Sequence, residues 1–510
     1  MKSRLLAPDD LHEPGGDPPA QWGEVSSDLE VGPLLDAMGA GDEYLRGACL
    51  RVLARACGEA SARIIAYRQA ALRDTLTNRS QVEALYAIVL EAIDARKKNF
   101  FFSLDSPGRH ASWTLRSGIE ITQLMLGYLQ RLRDHGAGLR GAFASEAFQD
   151  LFEQLEQELE DAWIAEARTQ LKLLGFRRGL LFGAALGPGN RPQGLVLYAG
   201  SGPRAGWWDR FLRRAPSEFS FRLHPRDEAG AAALSELHDR AVNEVANALA
   251  QSADHVLGFF QELRADLAFY LGCANLHHRL RSLGVATCLP ELAQASGARM
   301  RARDLRDPSL ALTLGRTPVG NDFDLPVRGV IVVTGANQGG KSTFLRSLGL
   351  AQCMLHAGMF VAASSFVGAP RAGIFTHYKR EEDATMQGGK LDEELARMSA
   401  SVDQMRPGSV WLSNESFSST NEREGSQILL DVVGALRERE ISVWMVTHLF
   451  DAARSLAAGG HDLTAFLRAP RAAGGARGYR MEQGVELDTS YGADVYAHVF
   501  SEQGPRVGDA

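Results

Sequence analysis

Apolar residues recur at three- and four-residue spacing from about Leu34 to Leu173, most regularly over Glu59 to Asp94 and Ile119 to Leu174. That is the period of amphipathic helices, and with few breakers it predicts a helical bundle over residues 34–175. The period then changes. Apolar runs at Gly179 to Leu186 and Gly194 to Tyr198 flank Gly187-Pro188-Gly189-Asn190, which reads as a hairpin. Phe219-Ser220-Phe221-Arg222-Leu223 reads as a further strand, so residues 176–227 are expected to form a small β or α/β insert. From Ala231 to about Leu283, Leu234, Leu237, Val242, Val245, Leu249, Val256, Phe260, Leu263, Leu267 and Tyr270 recur at mostly three- to five-residue steps. The stretch exceeds an ordinary globular helix and predicts one long helix, or two with a break near Gly258. Beyond residue 300, the apolar runs Ile331–Thr334, Ser409–Leu412 and Ile441–Val446 are separated by helix-compatible stretches, the order of an α/β domain. Residues 1–33, rich in Pro, Gly, Asp and Glu without an apolar period, are expected to be a disordered tail.

Composition narrows the class. The 510 residues, 45% of them hydrophobic, suffice for two to four domains. No run of eighteen apolar residues occurs and the N-terminus lacks a charged-then-apolar signal, so a soluble, cytoplasmic protein without membrane association is expected. The cysteines, Cys49, Cys57, Cys273, Cys288 and Cys353, lack paired metal spacing and read as reduced thiols. Net charge is −7. Local basic runs exist at Arg96–Lys98, Arg177–Arg178, Arg210–Arg214 and Arg299–Arg306, but no basic footprint dominates, so charge gives little support for a nucleic-acid partner.

The candidate chemistry begins at Ile331-Val332-Val333-Thr334, a strand-like run that enters Gly335-Ala336-Asn337-Gln338-Gly339-Gly340-Lys341-Ser342-Thr343. This is the pattern GxxxxGK[ST], followed by the helix-compatible Phe344 to His356. Its glycines let backbone N–H groups wrap phosphates, and a helix starting near Lys341 turns its positive end toward the same anion. Lys341 is expected to reach the β- and γ-phosphates of ATP, and Ser342 to ligate Mg²⁺. Ser409 to Leu412 ends in Ser413-Asn414-Glu415, which makes Glu415 the candidate general base. Ile441 to Val446 ends in Thr447-His448, which brings an imidazole to the same sheet edge to meet the γ-phosphate or the attacking water.

The loop GANQGGKST resembles the phosphate loop of the MutS family of mismatch-repair ATPases, GPNMGGKST. The likeness extends through Ala351-Gln352, Ala357-Gly358, Val361-Ala362-Ala363, Ile374-Phe375-Thr376, Asn414 to Gly425, Thr447-His448 and Ser490-Tyr491-Gly492. Upstream, Asp307-Pro308 and Asn321 to Leu325 resemble the family's short strands that flank the adenine. The match covers about residues 300 to 500. It implies an α/β P-loop ATPase domain of ABC/MutS type at the C-terminus, residues 301–510, with a mainly α-helical N-terminal half carrying the small insert. Residues 228–300 would be the lever-like helices between the two. It further implies a homodimer through the ATPase domain, DNA as partner, and Lys341, Ser342 and Thr343 on phosphate and metal. Glu415 then polarises water, His448 senses the γ-phosphate, and Ser418-Ser419-Thr420-Asn421 lies at the dimer interface.

Two departures from the family pattern stand out. Asn414-Glu415 replaces the usual Asp-Glu, so metal contact at Asn414 runs through water and without charge, and slower hydrolysis is expected. The segment that in the family donates a serine across the dimer reads Met386-Gln387-Gly388-Gly389-Lys390, making Gly388, Gly389 and Lys390 trans-site candidates along with Ser419, Thr420 and Asn421. The family's mismatch-reading domain with its Phe-x-Glu wedge is not visible. The expected function is a dimeric MutS-like ATPase that couples ATP binding to helical-arm movement and DNA binding in mismatch repair or recombination. The alternative is a nucleotide-gated scaffold with weak or no hydrolysis, protein partners on its helical half and no mismatch recognition.

Overall fold

The helical period upstream of residue 175 is realised as helices Trp22–Asp28, Gly32–Gly39, Glu43–Arg55, Ala62–Thr77, Arg79–Leu104, Ala111–Leu139, Glu146–Glu158 and Asp161–Leu174. The computed structural model of this protein describes residues 1–8, 11, 17–104, 111–175, 181–188, 192–198, 224, 226–293, 299–335, 338–380, 389–459, 463–470 and 478–484. By contact, the chain divides into two units. One comprises Met1–Arg4, Ser80–Phe143 and Phe148–Ala265, and the other Leu5–Arg79, Ala144–Ala147 and Asp266–Ala510. Residues 34–79, expected in one bundle with residues 80–175, therefore belong to the unit that holds the C-terminal sheet.

In the first unit Leu115, Ile119, Leu126, Leu171, Val242 and Ala246 pack as one buried cluster. Each is a stripe position of its helix, and burying such a side chain stabilises by roughly 1.5–3 kcal/mol for the larger ones. Strands β1 (Leu181–Leu186) and β2 (Pro192–Tyr198) pair antiparallel, with Leu181 opposite Tyr198. The further strand expected at Phe219–Leu223 lies outside the described residues. Glu228–Ser282 is one helix of 55 residues, unbroken at Gly258. Its apolar positions Val242, Phe260, Leu263, Leu267 and Tyr270 are buried, which accounts for the long period in the sequence.

The second unit is built on strands β3 (Glu291–Leu292), β4 (Arg299–Leu305), β5 (Asn321–Pro326), β6 (Val330–Gly335), β7 (Ser365–Gly368), β8 (Ile374–Tyr378), β9 (Val410–Asn414), β10 (Ser442–Val446), β11 (Thr464–Ala469) and β12 (Glu482–Gln483). They form a six-stranded sheet in the order β12-β11-β6-β10-β9-β8 and a four-stranded sheet in the order β3-β7-β4-β5. In the larger sheet every pairing is parallel except that of β12 with β11. Strands of such a sheet are covered on both faces, which is why β6 and β10 read as continuous apolar runs. Trp411 and Trp444 are fully buried there. Helix Lys341–His356 packs on β6, β8, β9 and β10. In one buried cluster, Leu429, Val433 and Leu436 of helix Glu422–Glu438 meet Trp411, Val443 and Met445.

The described part of residues 1–33 is not a detached tail. Leu5, Val25 and Leu29 are completely buried, and Trp22–Asp28 is helical. The Tyr270 hydroxyl donates to the Leu5 carbonyl at 2.6 Å, and Arg68 Nε donates to that of Leu6 at 2.8 Å. Leu29 settles over Gly349, where an added Cβ would lie 2.7 Å from Leu29 Cδ2 and 2.8 Å from Leu412 Cδ2. A Pro- and Gly-rich segment with a few isolated apolar residues has no period to read, yet Leu5, Val25 and Leu29 are each enclosed by the fold.

Candidate functional site

The end of β6 turns through Gly335, whose φ is +110°. A Cβ there would stand 2.8 Å from the Ala469 carbonyl oxygen on β11, so only glycine fits this exit from the sheet. Gln338 has φ +59° and Gly340 φ +86°, and the helix Lys341–His356 begins directly behind them. Its first N–H groups lack intrahelical partners and carry the positive end of the helix dipole. Lys341 is buried, and its Nζ donates to the Gly335 carbonyl at 3.0 Å. Ala336 and Asn337 lie outside the described residues.

Strand register sets the opposing wall. Val446 of β10 pairs with Val333 of β6 and with Asn414 of β9, so β9 and β10 end level and β6 runs two residues further. Glu415 N–H then donates to the Val446 carbonyl at 2.9 Å, and Thr447 N–H to that of Val333 at 3.2 Å. This brings the Glu415 and His448 side chains together, His448 Nε2 lying 3.0 Å from Glu415 Oε1. The hydrogen bond from His448 holds the Glu415 carboxyl below the usual glutamate range, with Lys341 and Lys379 adding attraction and partial burial opposing. A carboxylate kept ionised at a strand end is available to take a proton from water.

Ser342 Oγ donates to Asn414 Oδ1 at 3.0 Å. The donor set is neutral, and among the described residues no cluster of three His, Cys, Asp or Glu could hold a metal. The pair therefore fits an ion whose charge is met chiefly by phosphate, and less well an ion bound by protein alone.

Lys341, Ser342, Glu415 and His448 share a cavity of about 830 Å³, which Asn414 does not line. Gln338 to Thr343, Glu415 and His448 line its polar side, while Leu310, Leu314, Val319, Phe344 and Tyr479 supply apolar surface. Asp307 caps the helix Pro308–Leu314 that carries two of those leucines, its side chain accepting from Leu310 N–H at 2.9 Å. Asn321 braces the segment bearing Tyr479, its Oδ1 accepting from Met481 N–H at 2.7 Å. Sequence reasoning placed Asp307 and Asn321 near the base but missed Tyr479 and Val319. Tyr479 follows a stretch without any period, and only the fold brings it to within 3.3 Å of where a Gly340 Cβ would be.

The trans-site candidates stand apart. Among the described residues Gly389, Lys390, Ser419, Thr420 and Asn421 do not line the cavity, and Gly388 is outside the described residues. Ser419 Oγ donates to Glu394 Oε1 at 2.8 Å, Thr420 Oγ1 donates to Glu424 Oε2 at 2.8 Å, and Asn421 caps helix Glu422–Glu438. Gly389 is the N-cap of helix Lys390–Val402. Several basic runs carry acidic partners, as Arg96 with Asp254, Lys97 with Asp94, Arg299 with Asp324 and Arg306 with Asp304. Arg177–Arg178, Arg210–Arg214 and Ser490-Tyr491-Gly492 lie outside the described residues. Among the described residues no helix is long and apolar enough to cross a membrane.

Comparison with known proteins matches two segments of the chain. Residues 60–283 match the MutS2 N-terminal domain and residues 331–496 match MutS domain V. Over 163 residues the chain is 31% identical to the endonuclease MutS2 of an Anaeromyxobacter species, covering 30% of this chain and 19% of that protein. Over 211 residues it is 28% identical to the endonuclease MutS2 of Thermomicrobium roseum, covering 39% of this chain and 26% of that protein. The matched segments thus span about a quarter or less of those relatives. With the domain V match over the sheet and the N-terminal match over the helices, the chain belongs to the MutS family.

Proposed function

We propose that this protein binds ATP with Mg²⁺ in the 830 Å³ cavity and hydrolyses it as a homodimer, using the nucleotide to move its helical arms on DNA in repair or recombination. The observation that carries the reading is the cavity itself, which joins an apolar end to a helix N-terminus and an ionised carboxylate–imidazole pair. A nucleotide needs all three. Leu310, Leu314, Val319 and Tyr479 offer surface to the base, while Gln338 to Thr343 and Lys341 Nζ meet the phosphates. Lys341 would exchange its bond to the Gly335 carbonyl for phosphate oxygen. Ser342 would hold the metal directly and Asn414 through water, and the ion would supply charge that neutralises the phosphates. Glu415 takes the proton of the attacking water, and His448 orients Glu415 and meets the γ-phosphate. Dimerisation, DNA and the trans-acting role of Gly388, Gly389 and Lys390 rest on family membership, which the domain matches support.

A second reading, a nucleotide-gated scaffold with weak or no hydrolysis that holds protein partners on its helical half, has two observations in its favour. The metal-facing side chain at 414 is a neutral amide, and several of the basic runs are matched by acidic neighbours. One experiment separates the two: ATP turnover with and without linear, mismatched and branched DNA, each at more than one salt concentration. DNA-stimulated turnover with salt-dependent binding supports the repair ATPase. Nucleotide binding without DNA response supports the scaffold, and absence of nucleotide binding overturns both.

A further inference from the structure

Behind the Glu415 turn stands a second, completely enclosed acid. Glu394, in the second turn of helix Lys390–Val402, is 4% exposed. Its carboxylate accepts from Phe417 N–H at 2.6 Å through Oε2 and from Ser419 Oγ at 2.8 Å through Oε1. The turn it grips is one the backbone would not choose. Glu415 and Phe417 both sit in the left-handed region, at φ +56° and +60°, where side-chain-bearing residues persist only if their surroundings hold them. Phe417 is fully buried and stacks on His377, ring centroids 5.5 Å apart and planes 28° apart.

His377 ties the same two segments together. Burial pushes its pKa down to about 4, so the ring is neutral and carries one N–H. Its Nε2 faces the Glu394 carbonyl oxygen at 3.0 Å, an atom that can only accept, so the proton is on Nε2. Nδ1 is then an acceptor 2.7 Å from the Ser416 hydroxyl, whose one proton is shared between Nδ1 and the His377 carbonyl oxygen at 2.8 Å. Ser413 Oγ donates in turn to Ser416 Oγ at 2.7 Å. Helix Lys390–Val402, the end of β9 and the turn 415–419 thus form one polar network in which Glu394 makes the two-point contact.

We propose that Glu394 is the positioning residue of Glu415: by clamping Phe417 N–H and Ser419 Oγ it fixes the left-handed turn and so the direction of the Glu415 carboxylate. The proposal rests on the ATPase reading for its kinetic consequence only.

The test uses the full-length chain with Glu394→Gln, Glu394→Asp and Glu394→Leu. Glutamine keeps the reach, its carbonyl accepting from Phe417 N–H and its amide donating to the Ser419 hydroxyl. Aspartate keeps the charge but is one methylene too short for both. Leucine leaves a buried N–H without an acceptor. Expected is a kcat order of wild type close to Gln, then Asp, then Leu, the last lower by roughly 10- to 100-fold with nucleotide Kd little changed. Hydrogen exchange of the apo proteins over residues 414–420 is expected to quicken in the same order. Aspartate matching or exceeding glutamine in both readouts overturns the proposal, as does unchanged exchange in a folded Glu394→Leu. If Glu394→Leu does not fold, the Gln–Asp order decides. If the wild type turns over no ATP, the ATPase reading falls, and the exchange order still decides whether Glu394 holds the turn.

Discussion

His448 Nε2 and Glu415 Oε1 meet at 3.0 Å across the level ends of two neighbouring strands, both side chains partly exposed to the cavity. The contact gives the carboxylate a hydrogen-bond donor and ties the orientation of the ring to it. Glu415→Gln preserves size and the contact while removing basicity. Nucleotide affinity is expected to stay within about threefold and turnover to fall by at least about 100-fold. Steady-state ATPase beside equilibrium nucleotide titration checks this, and unchanged turnover would remove Glu415 as the base.

The same contact fixes a pH dependence. The bond from His448 lowers the Glu415 pKa, so its base form, and any stability its ionisation contributes, is present at neutral pH and lost only as pH falls through the depressed value. The stability part is small, because the side chain is 31% exposed. His448→Ala removes the largest lowering cause. The acid limb of its kcat profile is expected to move up in pH toward the ordinary glutamate value, on top of a lower plateau, and a limb that stays in place would separate the two residues functionally.

Asn414 Oδ1 already accepts from Ser342 Oγ, so an aspartate there keeps the bond and adds a charge. Asn414→Asp is expected to tighten Mg²⁺ half-saturation of nucleotide binding or turnover by about 3- to 10-fold. Titration of Mg²⁺ at fixed ATP measures it. Equal or weaker metal dependence would mean that position 414 does not face the ion.

The loop and the level strand ends were legible in the sequence because they are local. An apolar β-branched run, glycines where φ must be positive, and a polar residue at a strand end are each written in consecutive residues, as at Val333 to Gly340 and Val446 to His448. What was missed is tertiary. Glu394 and Phe417 are separated by 23 residues, and nothing at either position marks it as the other's partner. Tyr479 joins the cavity from a segment without period. The N-terminal segment looked disordered because its apolar residues are isolated, and isolation says nothing about whether another part of the chain has a pocket for each.

Gly335 gives the loop a stability test independent of activity. At φ +110° and with the Ala469 carbonyl oxygen 2.8 Å from a would-be Cβ, alanine meets both backbone strain and a clash with the neighbouring strand. Gly335→Ala is expected to lose about 1–3 kcal/mol from the strain alone, read as a lower denaturant midpoint. Gly340→Ala, which meets Tyr479 Cδ1 at 3.3 Å, is expected to have the smaller steric penalty because a side chain can yield where backbone cannot. The reverse order would place the sheet exit elsewhere than at Gly335.

Leu29 decides whether the N-terminal segment belongs to the fold of the C-terminal sheet. It is fully buried and fills the surface that Gly349 leaves open, beside Leu412 of β9. Those two neighbours sit on the helix and the strand whose ends carry Ser342 and Asn414, yet neither they nor Leu29 line the proposed nucleotide cavity. Leu29→Ala is expected to lower unfolding free energy by about 2–5 kcal/mol, the range for a large-to-small change in a packed core. The m-value should be little altered, since the surface exposed on unfolding hardly changes. Nucleotide affinity measured well below the unfolding midpoint should remain close to wild type, because no cavity-lining residue is removed. A detached tail would show none of this: the midpoint would stay where it is, and the packing of Leu29 on Gly349 would be refuted.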